Sequence, residues 1–354
     1  MRHRRSPGSS GEGRGGGAVT GVTDVRLTEW TSCGGCAAKW GGAPLSALVR
    51  QLAEGTDAAL LVGLAPFDDA AVYRLAPGLA LVSTTDFFPP LVDDPSDFGA
   101  IAAANACSDV FAMGGRVVLA LNISAFPERM PVAAIDAILT AAAAVVGEAG
   151  GSIGGGHTIR SEEPIFGLAV QGLVDPDRIW TKGGARPGDV LVLSKPLGTG
   201  IVLAGGDEGD KAAATAGMRV LNRAASEQLS ALPAAPHAVT DVTGFGLAGH
   251  AWELAERSGV RVQLRGGALP LYAGARAAAA AGVRTGGDAR NRAYLGASFT
   301  SSAPAELEAL VVDPQTSGGL LASVAPAAAA VLRASGWSEV GSVLAGAPHV
   351  ELVP

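Results

Sequence analysis

Phe67-Asp68-Asp69-Ala70-Ala71-Val72-Tyr73, the pair Pro77-Gly78 and the run from Leu79 to Phe88 form one local unit. The two β-prone segments flank a Pro-Gly turn, and this pattern predicts a hairpin. Pairing centred on the turn sets Asp69 opposite Asp86, with their Cβ atoms about 5 Å apart. Two carboxylates so placed repel unless a cation lies between them, so this register predicts a metal-assisted site. Asp68 falls on the other face, because alternate strand residues do.

On the N-terminal side the chain reads Thr31-Ser-Cys33-Gly-Gly-Cys36-Ala-Ala-Lys39. The glycines allow a mobile, close-approaching backbone, the lysine carries a point charge suited to phosphate, and the cysteine is a soft nucleophile. Residues 1–27 are Gly/Ser/Arg-rich and are expected to be a disordered tail. No apolar segment follows the initial arginines, so the start does not read as a secretory signal. Pro44 to Leu52 has helical spacing, and Leu60 to Gly63 is a short apolar run.

On the C-terminal side, Asp97 to Met113 reads as a helix with Asp97 as N-cap. Asn105 and Asp109 share one helix face close to the apolar stripe, where a carboxylate needs a partner; a metal would supply it. Val117 to Ile123 is expected as a strand, Val132 to Glu148 as a helix and Ile165 to Val174 as a strand. Between the last two, Gly154-Gly155-Gly156-His157-Thr158 is expected to form an anion-binding concavity with His157 facing phosphate. The turn-rich Ile179 to Pro187 marks a boundary between two domains. Beyond it, Asp189 to Ser194 reads as a strand. Lys195-Pro-Leu-Gly-Thr-Gly200 lacks Walker A spacing. Lys211 to Leu232 reads as one helix, and Thr240-Asp241 precedes a helix from Leu247 to Glu256. Asp313 to Gly319 reads as a polar turn before the strand Leu320 to Val324.

Composition narrows the class. The 354 residues suffice for two domains. Mean hydropathy is +0.31, but the longest apolar window, Pro131 to Val146, is broken by Asp136, so no membrane span is expected. A net charge of −7 argues against a broad nucleic-acid surface. Cys33, Cys36 and Cys107 are too few for a disulfide framework, which fits a reducing cytoplasm.

These motifs, in this order, resemble the selenophosphate synthetases (selenide, water dikinases) of the aminoimidazole-ribonucleotide-synthetase-like superfamily. The matching residues are Gly35-Cys36-x-x-Lys39, Asp68-Asp69-Ala-Ala-Val-Tyr, Ser83-Thr-Thr-Asp86-Phe-Phe and Asn105-x-x-Ser-Asp109-x-Phe-Ala-Met-Gly-Gly115. They continue with Gly155-Gly-His157, Thr240-Asp241-Val-Thr-Gly-Phe-Gly and Asp313-Pro-Gln-Thr-Ser-Gly-Gly319. The resemblance implies an α+β, two-domain fold. Residues 44–180 would be an N-terminal ATP/Mg2+-binding domain pairing across a homodimer into a β-barrel, and 187–354 a C-terminal α/β domain, with 28–43 a mobile catalytic loop. It implies conversion of ATP, selenide and water to selenophosphate, orthophosphate and AMP. Cys36 and Lys39 would be catalytic, and Asp69, Asp109 and Asp241 would ligate Mg2+. Lys39, Pro66, Phe67, Asp68, Asp86 and Asp109 would contact ATP, as would Gly156, His157 and Thr158 from the other subunit.

Many relatives carry a second cysteine where this chain has Ala38; either that second thiol is dispensable, or Cys33 replaces it in a Cys33-Gly-Gly-Cys36 pair, whose spacing also allows a reversible regulatory disulfide. Two rival readings predict different products. A superfamily kinase or cyclo-ligase acting on a carbon-based substrate releases ADP, and a selenium- or metal-carrying thiol protein consumes no ATP.

Overall fold

The computed structural model describes residues 25–31, 34–35, 57–64 and 67–354. Cys33, Cys36, Lys39, Pro66 and the helix expected over 44–52 lie outside the described residues. Leu27, placed by its sequence at the end of the tail, is buried, and its N–H donates to Asp93 O at 3.4 Å.

The first sheet is built from β1 (Leu60–Val62), β2 (Ala71–Ala76), β3 (Leu79–Phe88), β4 (Arg116–Phe126), β5 (Ser152–Arg160) and β6 (Ile165–Val174). Its order is β1-β2-β3-β6-β4-β5, with only β4 and β5 parallel. Helices α1 (Pro95–Ala112) and α2 (Val132–Glu148) pack together and onto one face. Alternation sends Val82, Phe88, Phe166 and Leu168 toward these helices, where they are buried. Phe98 of α1 seals the layer against Phe88 and Phe166, with ring centroids 6.1 and 6.3 Å away. Burying each of these phenyl groups contributes about 1.5–3 kcal/mol. The opposite face carries Tyr73, Phe87, Leu119, Leu121 and Ile159, each more than a third exposed.

Helix α1 is buried almost all round, and its small residues are the reason. A Cβ on Gly99 would stand 2.2 Å from Ile138 O, so glycine is what lets α2 approach. The cap is Asp94, whose carboxylate accepts from Asp97 N at 2.8 Å. Asp97, expected as the cap, lies inside the first turn and pairs with Arg219 at 2.7 Å. Pro95 explains the shift, since proline suits the first helical position.

The second sheet has the order β10-β13-β9-β12-β7-β11-β8. Its strands are β7 (Val190–Leu193), β8 (Ala238–Asp241), β9 (Arg261–Arg265), β10 (Phe299–Ser301), β11 (Leu320–Val324), β12 (Ser338–Leu344) and β13 (His349–Val353). Eight helices accompany it: α3 (Thr199–Gly205), α4 (Glu208–Arg219), α5 (Arg223–Ser230), α6 (Gly246–Ser258), α7 (Ala275–Ala280), α8 (Asp288–Leu295), α9 (Ala305–Val312) and α10 (Pro326–Ala334). The single helix expected over Lys211 to Leu232 is two, α4 and α5. The break falls where Lys195 Nζ donates to Val220 O (2.6 Å) and Asn222 Nδ2 to Ser108 Oγ and Gly318 O (both 2.8 Å). Tertiary hydrogen bonds to these groups outweigh local helix propensity there.

Candidate active site

Asp69 precedes β2, Asp109 lies in the last turns of α1, and Asp241 ends β8. One carboxylate oxygen from each lies within 4.8 Å of the others. The three come from a loop, a helix and a strand, and from both sheets' surroundings. Asp69 Oδ1 accepts from Thr240 Oγ1 at 3.0 Å and pairs with Lys182 Nζ at 2.9 Å. Asp69 Oδ2 is buried without a hydrogen-bond partner, although the side chain is only 3% exposed. Asp109 Oδ2 accepts from Thr84 Oγ1 at 2.5 Å, which ties α1 to β3. An all-oxygen donor set with a bare buried oxygen suits a hard divalent cation.

Asp86 lies elsewhere. The β2–β3 register pairs Ala71 with Ser83 and Val72 with Val82, then shifts between Arg74 and Ala76 to close the turn, where Gly78 has φ +71°. Asp69 therefore lies ahead of the paired strand and not opposite Asp86. Asp86 shares the helix-facing side with Val82 and Phe88. Asn105 Nδ2 donates to its Oδ2 at 2.5 Å, and Asn105 Oδ1 accepts from Ser317 N at 2.8 Å. Asp68 also departs from a simple solvated face. Its Oδ1 accepts from Asp69 N (3.0 Å) and its Oδ2 from Lys182 N (3.2 Å). Burial, then the neighbouring Asp69, pushes its carboxyl up to about 7. Phe67 stands next to it, 6.0 Å below the Arg257 guanidinium.

Gly156, His157 and Thr158 do not form a loop. They run within β5, paired in parallel with Asn122, Ile123 and Ser124. Glycine is required here by close approach: a Cβ on Gly156 would meet Asn122 backbone atoms at 2.3 to 2.7 Å. Glycines in a row read as flexible from sequence, but this edge strand uses one of them for proximity. His157 is exposed, as is Ile159 two residues on along the same strand.

Gly35, the residue before Cys36 in the sequence, is anchored. Gly35 N donates to Pro89 O at 2.9 Å, and a Cβ on Gly35 would meet Thr316 Oγ1 at 2.9 Å. Thr316 belongs to Asp313–Gly319, expected as a polar turn and found buried. Gln315 Oε1 accepts from Gly198 N, Thr199 N and Thr199 Oγ1, which gives the polar segment its internal partners. Gly35 thus adjoins Thr316, and the next residue, Ser317, is linked through Asn105 to Asp86.

Sequence reasoning missed Lys182, Glu253 and His250 as a unit. Lys182 Nζ lies 2.9 Å from Glu253 Oε2, and His250 Nδ1 stands 3.3 Å from the same oxygen. Burial alone would lower the Lys182 ammonium, but Asp69, Glu253 and Asp68 outweigh it and hold it well above its usual range. Burial would likewise raise Glu253, yet Lys182 and His250 hold it well below the usual carboxylate range. The only sequence signal was a lysine in a Gly-rich turn, and it does not reveal burial. Lys195 is buried too, and desolvation lowers it to about 7 against the pull of Asp241. Cys107 is a core thiol, pushed up to about 12 by burial.

Comparison with known proteins defines the class first. Residues 67–174 match the N-terminal domain of AIR synthase related proteins, and residues 186–352 match the C-terminal domain. A structure described as AaThiL complexed with AMPPCP and TMP superposes with a TM-score of 0.66 at 20% identity, covering 88% of this chain and 93% of that one. A thiamine-monophosphate kinase from Stenotrophomonas maltophilia K279a gives 0.61 at 19% identity, covering 89% and 96%. The fold is therefore that of the AIR synthase-related proteins. Within it, selenide, water dikinase of Myxococcus xanthus (strain DK1622) is 44% identical over 342 residues, 93% of this chain and 97% of its own. The Burkholderia pseudomallei (strain K96243) selenide, water dikinase is 46% identical over 343 residues, covering 92% and 96%. The chain belongs to the selenide, water dikinase family.

Proposed function

We propose that Asp69, Asp109 and Asp241 hold Mg2+ against the triphosphate of ATP in this chain's active site. The carrying observation is their convergence within 4.8 Å, with Asp69 Oδ2 buried and unpartnered. The chain makes selenophosphate from selenide, water and ATP, and releases AMP and orthophosphate. When bound, Mg2+ neutralises phosphate charge and stabilises the charge that shifts during transfer. The residues of the chain do the positioning. Pro66, Phe67 and Asp68 contact the nucleotide beside Asp69. Asp86 acts as an ATP contact whose carboxylate Asn105 holds in place. Lys39 brings a cation to the terminal phosphate when the loop closes, and closure excludes water so that selenide takes the first phosphoryl group. Cys36 positions or delivers selenium. The anchored Gly35 supports this, because it fixes the loop root beside Thr316.

The active form is a homodimer. The exposed apolar face of the first sheet is the proposed interface, since a patch of Tyr73, Phe87, Leu119, Leu121 and Ile159 needs covering. Gly156, His157 and Thr158 on β5 then complete the partner's nucleotide site. Among the described residues no helix is long and apolar enough to cross a membrane, and a reducing cytoplasm suits the free thiol chemistry.

The deciding experiment is ³¹P NMR of the protein with Mg-ATP and selenide. A selenophosphate resonance accompanied by AMP is expected. ADP as the end product, or ATP consumption unchanged by omitting selenide, overturns the proposal.

A further inference from the structure

Asp69 is held from one side by a buried ammonium. Lys182 Nζ sits 2.9 Å from Asp69 Oδ1 and 2.9 Å from Glu253 Oε2, and Lys182 N donates to Asp68 Oδ2 at 3.2 Å. The lysine side chain is 7% exposed. It lies in the segment joining the two sheets, and its carboxylate partners come from both: Asp68 and Asp69 precede β2, and Glu253 is on α6. Thr240 takes the second site on Asp69 Oδ1. Oδ2 is thereby the oxygen left bare for a cation.

We infer that Lys182 is a tethered counter-cation of the carboxylate cluster, fixing Asp69 through Oδ1 and supplying one positive charge that the divalent ion would otherwise have to provide. The inference rests on the proposed Mg2+ site. Lys182 is a positioning residue that acts through the two carboxylates its nitrogen touches. Glu253 sets how much of that charge Asp69 feels, because the two carboxylates share one ammonium. The His250 imidazole lies behind Glu253, with its Nε2 accepting from Thr243 N at 3.1 Å, and this arrangement keeps Glu253 aimed at Lys182.

The charge argument has opposite signs for the two partners. Removing the ammonium leaves the cluster more negative, so a divalent ion binds more tightly. Removing the Glu253 charge leaves the ammonium to act on Asp69 alone, so a divalent ion binds more weakly. Charges a few ångströms apart in a partly buried site alter such binding by about ten-fold or more. A purely structural pin between the domains behaves differently, because loosening it from either side weakens the site.

The test is titration of Mn2+ into the full chain, with free Mn2+ followed by electron paramagnetic resonance, for wild type, Lys182→Met and Glu253→Gln. The expected result is Mn2+ binding about ten-fold tighter in Lys182→Met and about ten-fold weaker in Glu253→Gln. Weakening in both variants, or no change in either, overturns the inference while leaving the metal site standing. If wild type binds no Mn2+, the metal reading itself fails, and the inference with it. Should Lys182→Met not fold, Lys182→Gln takes its place: tighter Mn2+ binding supports the inference, and weaker or unchanged binding overturns it.

Discussion

Asn105 Nδ2 donates to Asp86 Oδ2 across 2.5 Å, which joins α1 to β3. The other end of the same amide accepts from Ser317 N at 2.8 Å, and Ser317 lies in the segment leading into β11. One buried side chain therefore binds a carboxylate from the first sheet and a backbone donor from beside the second.

Replacing Asn105 with Leu leaves a buried carboxylate and a buried N–H each short of a partner. The expected cost is about 2–4 kcal/mol of stability, read as a lower midpoint in urea unfolding. A variant that unfolds at the wild-type midpoint would show that the amide contributes nothing net.

The carboxylate cluster predicts a graded kinetic result. Asp69→Asn, Asp109→Asn and Asp241→Asn should each lower kcat/KM for ATP by about 100-fold, since metal stabilisation of transfer is worth several kcal/mol. Steady-state assays of AMP release check this. Wild-type kinetics in any of the three would remove that residue from the proposed Mg2+ set.

The three cysteines should separate cleanly. Cys36→Ser is expected to abolish selenide-dependent AMP formation. Cys107→Ser should keep it, because burial pushes that thiol up to about 12 and the group sits in the core between helices and sheet. Cys33→Ser reports whether the Cys33–Cys36 spacing serves redox chemistry: turnover that no longer responds to oxidant and reductant would place a disulfide there. The readout in all cases is AMP produced with and without selenide.

Asp313, which is not one of the clustered carboxylates, gives a pH signature of its own. Burial raises its carboxyl from the ordinary 3.8 to about 7, against hydrogen bonds from Ile201 N and Gln315. A raised folded-state pKa means the native chain holds a proton that the unfolded chain has lost between about pH 4 and 7. The associated stability is complete below pH 4 and is lost as pH rises through 7. Asp313→Asn removes this dependence. The difference in melting temperature between variant and wild type should therefore shift in favour of the variant from pH 5 to pH 8. A pH-independent difference would show that Asp313 titrates normally.

The uncovered sheet face leads to an assembly prediction. Leu121→Asp places a charge in the apolar patch and should convert the proposed dimer to monomer in sedimentation velocity. Activity should fall with it, since His157 would no longer reach a neighbouring site. A dimer that survives the substitution would place the interface elsewhere.

The sequence alone determined the order of the motifs, the two-part organisation and several elements to the residue. Helix Val132–Glu148 and strands Ile165–Val174 and Leu320–Val324 match their expected limits, because local periodicity and flanking glycines or polar turns encode such boundaries. Of the candidate carboxylates, Asp109 stands out as an acid beside an apolar helix stripe, Asp69 is singled out through a register opposite Asp86 that the strands do not adopt, and the trio with Asp241 comes from the family resemblance. Tertiary structure alone decided who meets whom. It moved Asp86 from Asp69 to Asn105, drew Gly156 to Thr158 into an edge strand, buried Asp313 to Ser317, and set Lys182 among acids from both halves of the chain. The reason is physical: these choices are made by hydrogen bonds and charges between distant positions, as Ser317 and Asn105 are, 212 residues apart. No local period or propensity carries that information.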